Sequence, residues 1–383
     1  MKIRINRRKS RYLLMILIAL IVGMMFHLDR SMNMDFNRFQ EIMDTIRNSG
    51  MSLFDFLSDK THILKWLNIT LPYMYSFNTL LYYISKYFSN NYVMVCVSVI
   101  IDYSIIAYIA YDWRRYEGYA RKEVVLSILI CFAFLPMIHV CSGLRTATSA
   151  CFMSLAVYNY LYKDKSISNF ALFSMISITF HPLMLFAISI ALVVKLSKKR
   201  IMFYMTVLGC LFISRIADIF AKSSNAFLQS IATKYMTYIS EGQFRAYRFA
   251  MYGSIVFSLL VITYYMLLYR RNEGKMNGKR GLLSFVIGTR NFDPENSDRQ
   301  RLFLFYLCYM ALLVGNVGSY EMVCRGVYLV GASAPIIMDL LFSNKKNTNG
   351  NIAFVIKICV VFLLLYICFS WIRYYYAYFI PFV

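Results

Sequence analysis

A few charged side chains interrupt otherwise apolar sequence, and their types suggest one chemistry. Arg145 sits in HVCSGLRTATSA, inside a run of small residues from Ser142 to Ala150. His181 ends the apolar stretch SISNFALFSMISITFH and stands directly before Pro182. Glu321 and Arg325 share the short segment GSYEMVCRG. A guanidinium is planar, permanently charged and bidentate, so Arg145 and Arg325 point to an anionic ligand such as a phosphate. An imidazole near them is the side chain whose ordinary pKa suits proton transfer at neutral pH. Glu321 or Asp35 is the second choice of base, or the group that orients the imidazole. Arg215, Arg245, Arg248 and Asp35 are candidates for binding the same ligand.

Plainer readings stand beside these. An arginine at the edge of a bilayer often only reaches for lipid headgroups. The same holds for Arg215, Arg245 and Arg248, and a histidine before proline can simply cap a turn. The chain has no G-x-x-x-x-G-K-[ST], G-x-S-x-G or H-E-x-x-H pattern and no D-x-D pair at a loop. The expectation is therefore a site with no metal and no cofactor.

The elements that must position these groups are membrane helices. The chain of 383 residues is 59% hydrophobic, with mean hydropathy +0.53. Its apolar stretches repeat at bilayer-spanning length. A soluble chain of this size could not hide that much apolar surface in one core. A net charge of +22 would suit nucleic acid in a soluble protein. Here the basic residues gather in short loops, which marks the cytoplasmic side and excludes a nucleic-acid partner. The nine cysteines lie mostly within apolar runs and include no C-x-x-C, which argues against a metal cluster or a disulfide framework. Arg11 to Leu28 has a basic start but no small-residue cleavage site, so it reads as a retained first span.

Basic loops at the N-terminus, Asp112–Lys122, Lys163–Lys165, Lys195–Arg200 and 270–301 fix the parity of crossing. They predict about eleven transmembrane helices, N-terminus in and C-terminus out, in one all-α polytopic domain over 1–383. Among the predicted spans are Glu123–Cys141, Arg145–Tyr162, Ser168–Phe180, Pro182–Leu196, Gly253–Tyr269 and Gly326–Phe342. Leu71–Phe88 would break the parity as a span and reads as an interfacial or re-entrant helix in an outer segment, 29–90. An outer loop, 215–252, and a cytoplasmic loop, 270–301, complete the scheme. All the candidate site residues then fall at the outer boundary, where arginine is normally avoided.

The block SGLRTATSACFMSLAVYNYLYKDKSISNFALFSMISITFHPLMLF, Ser142 to Phe186, resembles the hallmark region of the EpsG-like branch of the Wzy family of bacterial polysaccharide polymerases. Gly143, Arg145, Lys163, Lys165, Phe180 and His181 match its pattern in order and spacing. NMDFNRFQEI and CRGVYLVGASAPIIMDLLF resemble two flanking segments more weakly, and Thr146 stands where the family often has glutamine. The resemblance implies a GT-C-like membrane glycosyltransferase in the bacterial cytoplasmic membrane. Its donor and acceptor would be oligosaccharide repeat units on undecaprenyl pyrophosphate, joined on the extracytoplasmic face without metal. It also implies membrane lipids, a chain-length regulator and a flippase as partners. In that reading Arg145 and Arg325 hold the leaving pyrophosphate and His181 is the base. Two alternatives remain open: an O-antigen ligase-like transferase, and a lipid-linked oligosaccharide flippase or other transporter. The latter would favour paired repeats and charges near the midplane.

Overall fold

Apolar sequence becomes helix in the computed structural model until a proline, a glycine or a charged turn stops it. The structure describes residues 7–28, 35–58, 61–64, 69–72, 74–117, 121–196, 200–222, 224, 245–276, 297–342 and 351–379. Helix α1 (Arg7–Met24) packs along α5 (Val93–Glu117). Between them lie α2 (Asp35–Ser49), α3 (Leu53–Ser58), strands β1 (Thr61–Leu64) and β2 (Ile69–Pro72), and α4 (Tyr75–Tyr87). The strands form a small antiparallel ribbon, Thr61 opposite Pro72. This ribbon is a departure from the all-helical expectation; the other regular elements described are helices.

In α2 the apolar residues Phe36, Phe39, Met43 and Ile46 recur at helical spacing and are buried. They pack the helix onto α4, with Phe39 and Phe77 rings 4.8 Å apart. Helix α4 has 13 residues, too short for a bilayer core of about 30 Å. It packs against α2, α3 and α9 (Ile167–Phe180).

The predicted span Glu123–Cys141 is broken. It divides into α6 (Arg121–Phe134) and α7 (Met137–Cys141), because Pro136 lacks the N–H that would continue the ladder. Next comes α8 (Leu144–Val157), which widens into a π-helical turn at Tyr158–Tyr162. After α9, a 3-10 turn (Pro182–Met184) leads into α10 (Leu185–Leu196), α11 (Arg200–Leu211) and α12 (Ile213–Ala221). The remaining helices are α13 (Arg245–Met276), α14 (Ser297–Gly315), α15 (Tyr320–Ala332), α16 (Ala334–Phe342) and α17 (Asn351–Tyr375). Most of the loops predicted at 215–252 and 270–301 falls outside the described residues.

Helix α8 is central, packed by α9, α5 and α15. Its small residues Ala147, Thr148, Ser149, Ala150, Ser154 and Ala156 are all buried, which lets its neighbours approach closely. The predicted span Gly326–Phe342 is not one helix. α15 and α16 meet at a 78° bend around the buried Ser333, whose hydroxyl lies 2.6 Å from that of Ser154.

Val93–Tyr116, Arg248–Tyr265 and Asn351–Tyr375 are each long and apolar enough to cross a membrane, and the bent pair α15–α16 would make a fourth. Leu13–Met24, Ile167–Phe180 and Pro182–Leu196 are apolar but shorter. On α17, Phe354, Phe362 and Phe369 lie exposed, as lipid-facing side chains do. The chain is thus a helical membrane protein. Among the described residues, three helices and one bent pair have the length and apolarity of a full span, and several of the other predicted crossings are short or interrupted.

Candidate functional site

The turn from α7 into α8 depends on Gly143. A Cβ there would sit 2.9 Å from the His139 carbonyl oxygen, so a side chain would force the two helices apart. This tight turn sets Arg145 in the first turn of α8. Its Nη2 lies 3.3 Å from Asp35 Oδ2, and its Nη1 donates to Met74 Sδ at 3.2 Å. The guanidinium carbon stands 5.0 Å from the centre of the Phe39 ring and 5.8 Å from that of Phe77. Asp35 opens α2, where a carboxylate also complements the helix dipole. Met74 precedes α4 with φ 52° and ψ 48°, a left-handed conformation unfavourable for a bulky side chain. Arg145 is therefore held by a carboxylate, a thioether and two rings, with 22% of its side chain still exposed.

One turn further along α8, the Ser149 hydroxyl donates to the Ser177 carbonyl at 2.8 Å and lies 3.2 Å from that of His181. Ser177 returns a bond to the Ser149 carbonyl at 2.7 Å. Arg145 and Ser149 are four residues apart and share a helix face. The small residues thus tie the arginine's helix to the backbone of His181.

His181 lies between α9 and the 3-10 turn and closes both. Its N–H donates to the Ser177 carbonyl at 3.0 Å, and its Nδ1 accepts from the Leu183 N–H at 3.3 Å. Its side chain is buried. Burial first, then the positive charges of Arg325 and Arg145, hold the imidazole well below its ordinary pKa. It is therefore neutral, and with Nδ1 accepting, its proton sits on Nε2. These bonds show His181 capping the turn, as the plainer reading of the sequence has it.

Arg325 lies half-buried on α15, one helical turn after Glu321. Beneath this layer His139 packs against Tyr328, with centroids 5.1 Å apart, and edge-on to Trp371 at 4.7 Å. Arg145 thus pairs with Asp35, and the charges of Arg325 and Arg145 both act on His181. The other candidates are not shown to join them. Arg215 is 81% exposed and pairs within its own helix with Asp218 at 3.9 Å. Arg248 is exposed in the first turn of α13. Arg245 begins that helix and Glu321 lies in the first turn of α15, but both side chains fall outside the described residues. Helix α12 does reach the region, since Ala217 and Met322 pack with Leu183 and Phe186. Phe39, Phe77 and Met74 were missed as neighbours of Arg145. The apolar period of α2 could have flagged Phe39, but nothing in the sequence distinguishes Met74.

Taken together, these features define a helical membrane protein with arginines and a neutral imidazole gathered where two short apolar helices meet. The EpsG family model matches residues 11–383, and the chain belongs to that family. The family is associated with polysaccharide polymerisation. No curated protein and no solved structure matches the chain.

Proposed function

We propose that this protein polymerises lipid-linked oligosaccharide repeat units on the extracytoplasmic face of the bacterial cytoplasmic membrane. The observation that carries the reading is the restrained guanidinium of Arg145 beside His181 and Arg325, in a chain of the EpsG family. In the reaction, the bond between the donor's anomeric carbon and the undecaprenyl pyrophosphate oxygen breaks. The electron pair goes to the pyrophosphate, and the acceptor hydroxyl oxygen bonds to the anomeric carbon. Arg145 and Arg325 stabilise the negative charge that grows on the leaving group, a task that preorganised donors perform without metal. His181 contributes its Nε2–H to the same oxygens. That role replaces the base expected from its residue type, because its lone pair is already engaged by Leu183. The acceptor proton passes to Glu321, which shares a face of α15 with Arg325. Asp35 orients Arg145. The apolar flanks of the surrounding helices receive the polyprenyl tails, and about eleven crossings in a GT-C-like arrangement enclose the site.

The test is reconstitution of the purified chain in liposomes with synthetic polyprenyl-pyrophosphate-linked repeat units. A ladder of lipid-linked polymer that persists in EDTA is expected. Loss with EDTA and recovery with magnesium would reject the arginine-only mechanism. Transbilayer movement of the units without polymer would favour the flippase. Transfer only to a lipid A acceptor would favour the ligase.

A further inference from the structure

At the end of α8 opposite Arg145, about 21 Å away by helical rise, a cavity of about 320 Å³ opens between α5, the π-helical turn and α9. Such a volume lies at the small end of ligand sites. Its walls are Ile105, Leu155 and Phe173, and its polar lining includes Asn159, Lys165 and Asn169. Asn159 is 3% exposed. The side-chain oxygens of Asn159 and Asn169 have no hydrogen-bond partner. An unpartnered buried amide is unfavourable, and an amide that can turn over offers a ligand either a donor or an acceptor. The π-helical widening that carries Asn159 is a feature frequent at functional sites.

The charges around the cavity leave an anion wanting. Lys163 is bound to Asp112 at 2.7 Å and lies over the Tyr116 ring. Lys195 is bound to Asp164. Among the described residues no carboxylate pairs with Lys165, which is exposed. The cavity also opens on the flank of α5, a membrane-spanning helix, where the surrounding medium is lipid.

We infer that this crevice is a binding site for an anionic glycerophospholipid with a hydroxyl-bearing headgroup, of the phosphatidylglycerol type. The phosphate meets Lys165, headgroup hydroxyls meet the amides of Asn159 and Asn169, and the first acyl segment lies along Ile105, Leu155 and Phe173. A phosphatidylethanolamine headgroup fits less well, because its ammonium would face the Lys165 ammonium.

Native mass spectrometry of the full chain in detergent, titrated with phosphatidylglycerol or phosphatidylethanolamine, tests the site. The wild type should retain one phosphatidylglycerol where phosphatidylethanolamine is lost. Lys165→Glu should weaken retention about tenfold or more, and Lys165→Arg should keep it. Lys165 is exposed, so these variants should fold, and matching elution profiles would confirm it. Asn159→Leu should also lower retention. Glycerol phosphate without acyl chains should not compete at the same concentration; competition would mean a free-phosphate site. Equal retention of the two lipids by the wild type, or unchanged phosphatidylglycerol retention by Lys165→Glu, would overturn the inference.

Discussion

Arg145 separates two physical roles that look alike in sequence. An arginine that merely reaches for headgroups is replaceable by lysine, since both chains snorkel. An arginine held between Asp35 and two phenyl rings offers a fixed planar fork, which an ammonium cannot reproduce. Arg145→Lys should therefore express normally yet lower polymerisation by about a hundredfold to a thousandfold. Single lipid-linked repeat units should accumulate; wild-type chain yield would return Arg145 to the headgroup role. The histidine makes a second claim. Its folded pKa is depressed, so it stays neutral as pH falls through the ordinary imidazole value of about 6.5. Below that value the unfolded chain binds the proton more tightly, and the stability contribution is lost. Activity should accordingly show no limb near pH 6.5 that belongs to His181. A limb there that disappears in His181→Asn would reassign the residue as the base.

At the scale of elements, the turn between α7 and α8 is the sensitive joint. Gly143→Ala forces a Cβ to 2.9 Å from a backbone oxygen, an overpacking expected to cost about 1–3 kcal/mol and to displace Arg145. Gly209→Ala, in α11, meets nothing within 4 Å and should leave melting temperature and polymer yield unchanged. Equal melting behaviour of the two variants in detergent would show that the turn tolerates a side chain. The sequence made the helical class and the two short apolar helices on either side of His181 legible, because apolar period and length express them locally. The bend at Ser333 has a local mark in Pro335, inside the run from Gly326 to Phe342, but the Ser154–Ser333 contact at the break is tertiary. The π-helical turn was hidden. The pairing of Asp35 with Arg145 links residues 110 positions apart, a distance that no local pattern encodes. Conversely, Arg215 and Arg248 looked like Arg145 in sequence, and their exposure sets them apart.

For the whole molecule, the parity of basic loops predicts that Asp164 faces the cytoplasm and the turn at Val317–Gly318 faces outward. Single cysteines at these positions, treated with an impermeant thiol reagent on intact cells, should label at 317 and not at 164; the reverse would dismantle the shared outer site. The turn that carries His181 closes a short helix. That helix, α9, has 14 residues, a rise of about 21 Å against a hydrocarbon core of about 30 Å. With α9 crossing as the parity of basic loops predicts, the bilayer thins around this turn, or the imidazole sits below the surrounding headgroups. Hydrophobic mismatch of this kind ties the depth of the reaction to membrane thickness. In short-chain lipid vesicles the pyrophosphate of a lipid-linked unit would already ride at the level of Arg145 and His181. In long-chain vesicles it would have to be drawn inward at every addition. Polymerisation should thus slow as acyl chains lengthen, with the local dip acting as a gauge that matches the enzyme to the thickness of its own membrane.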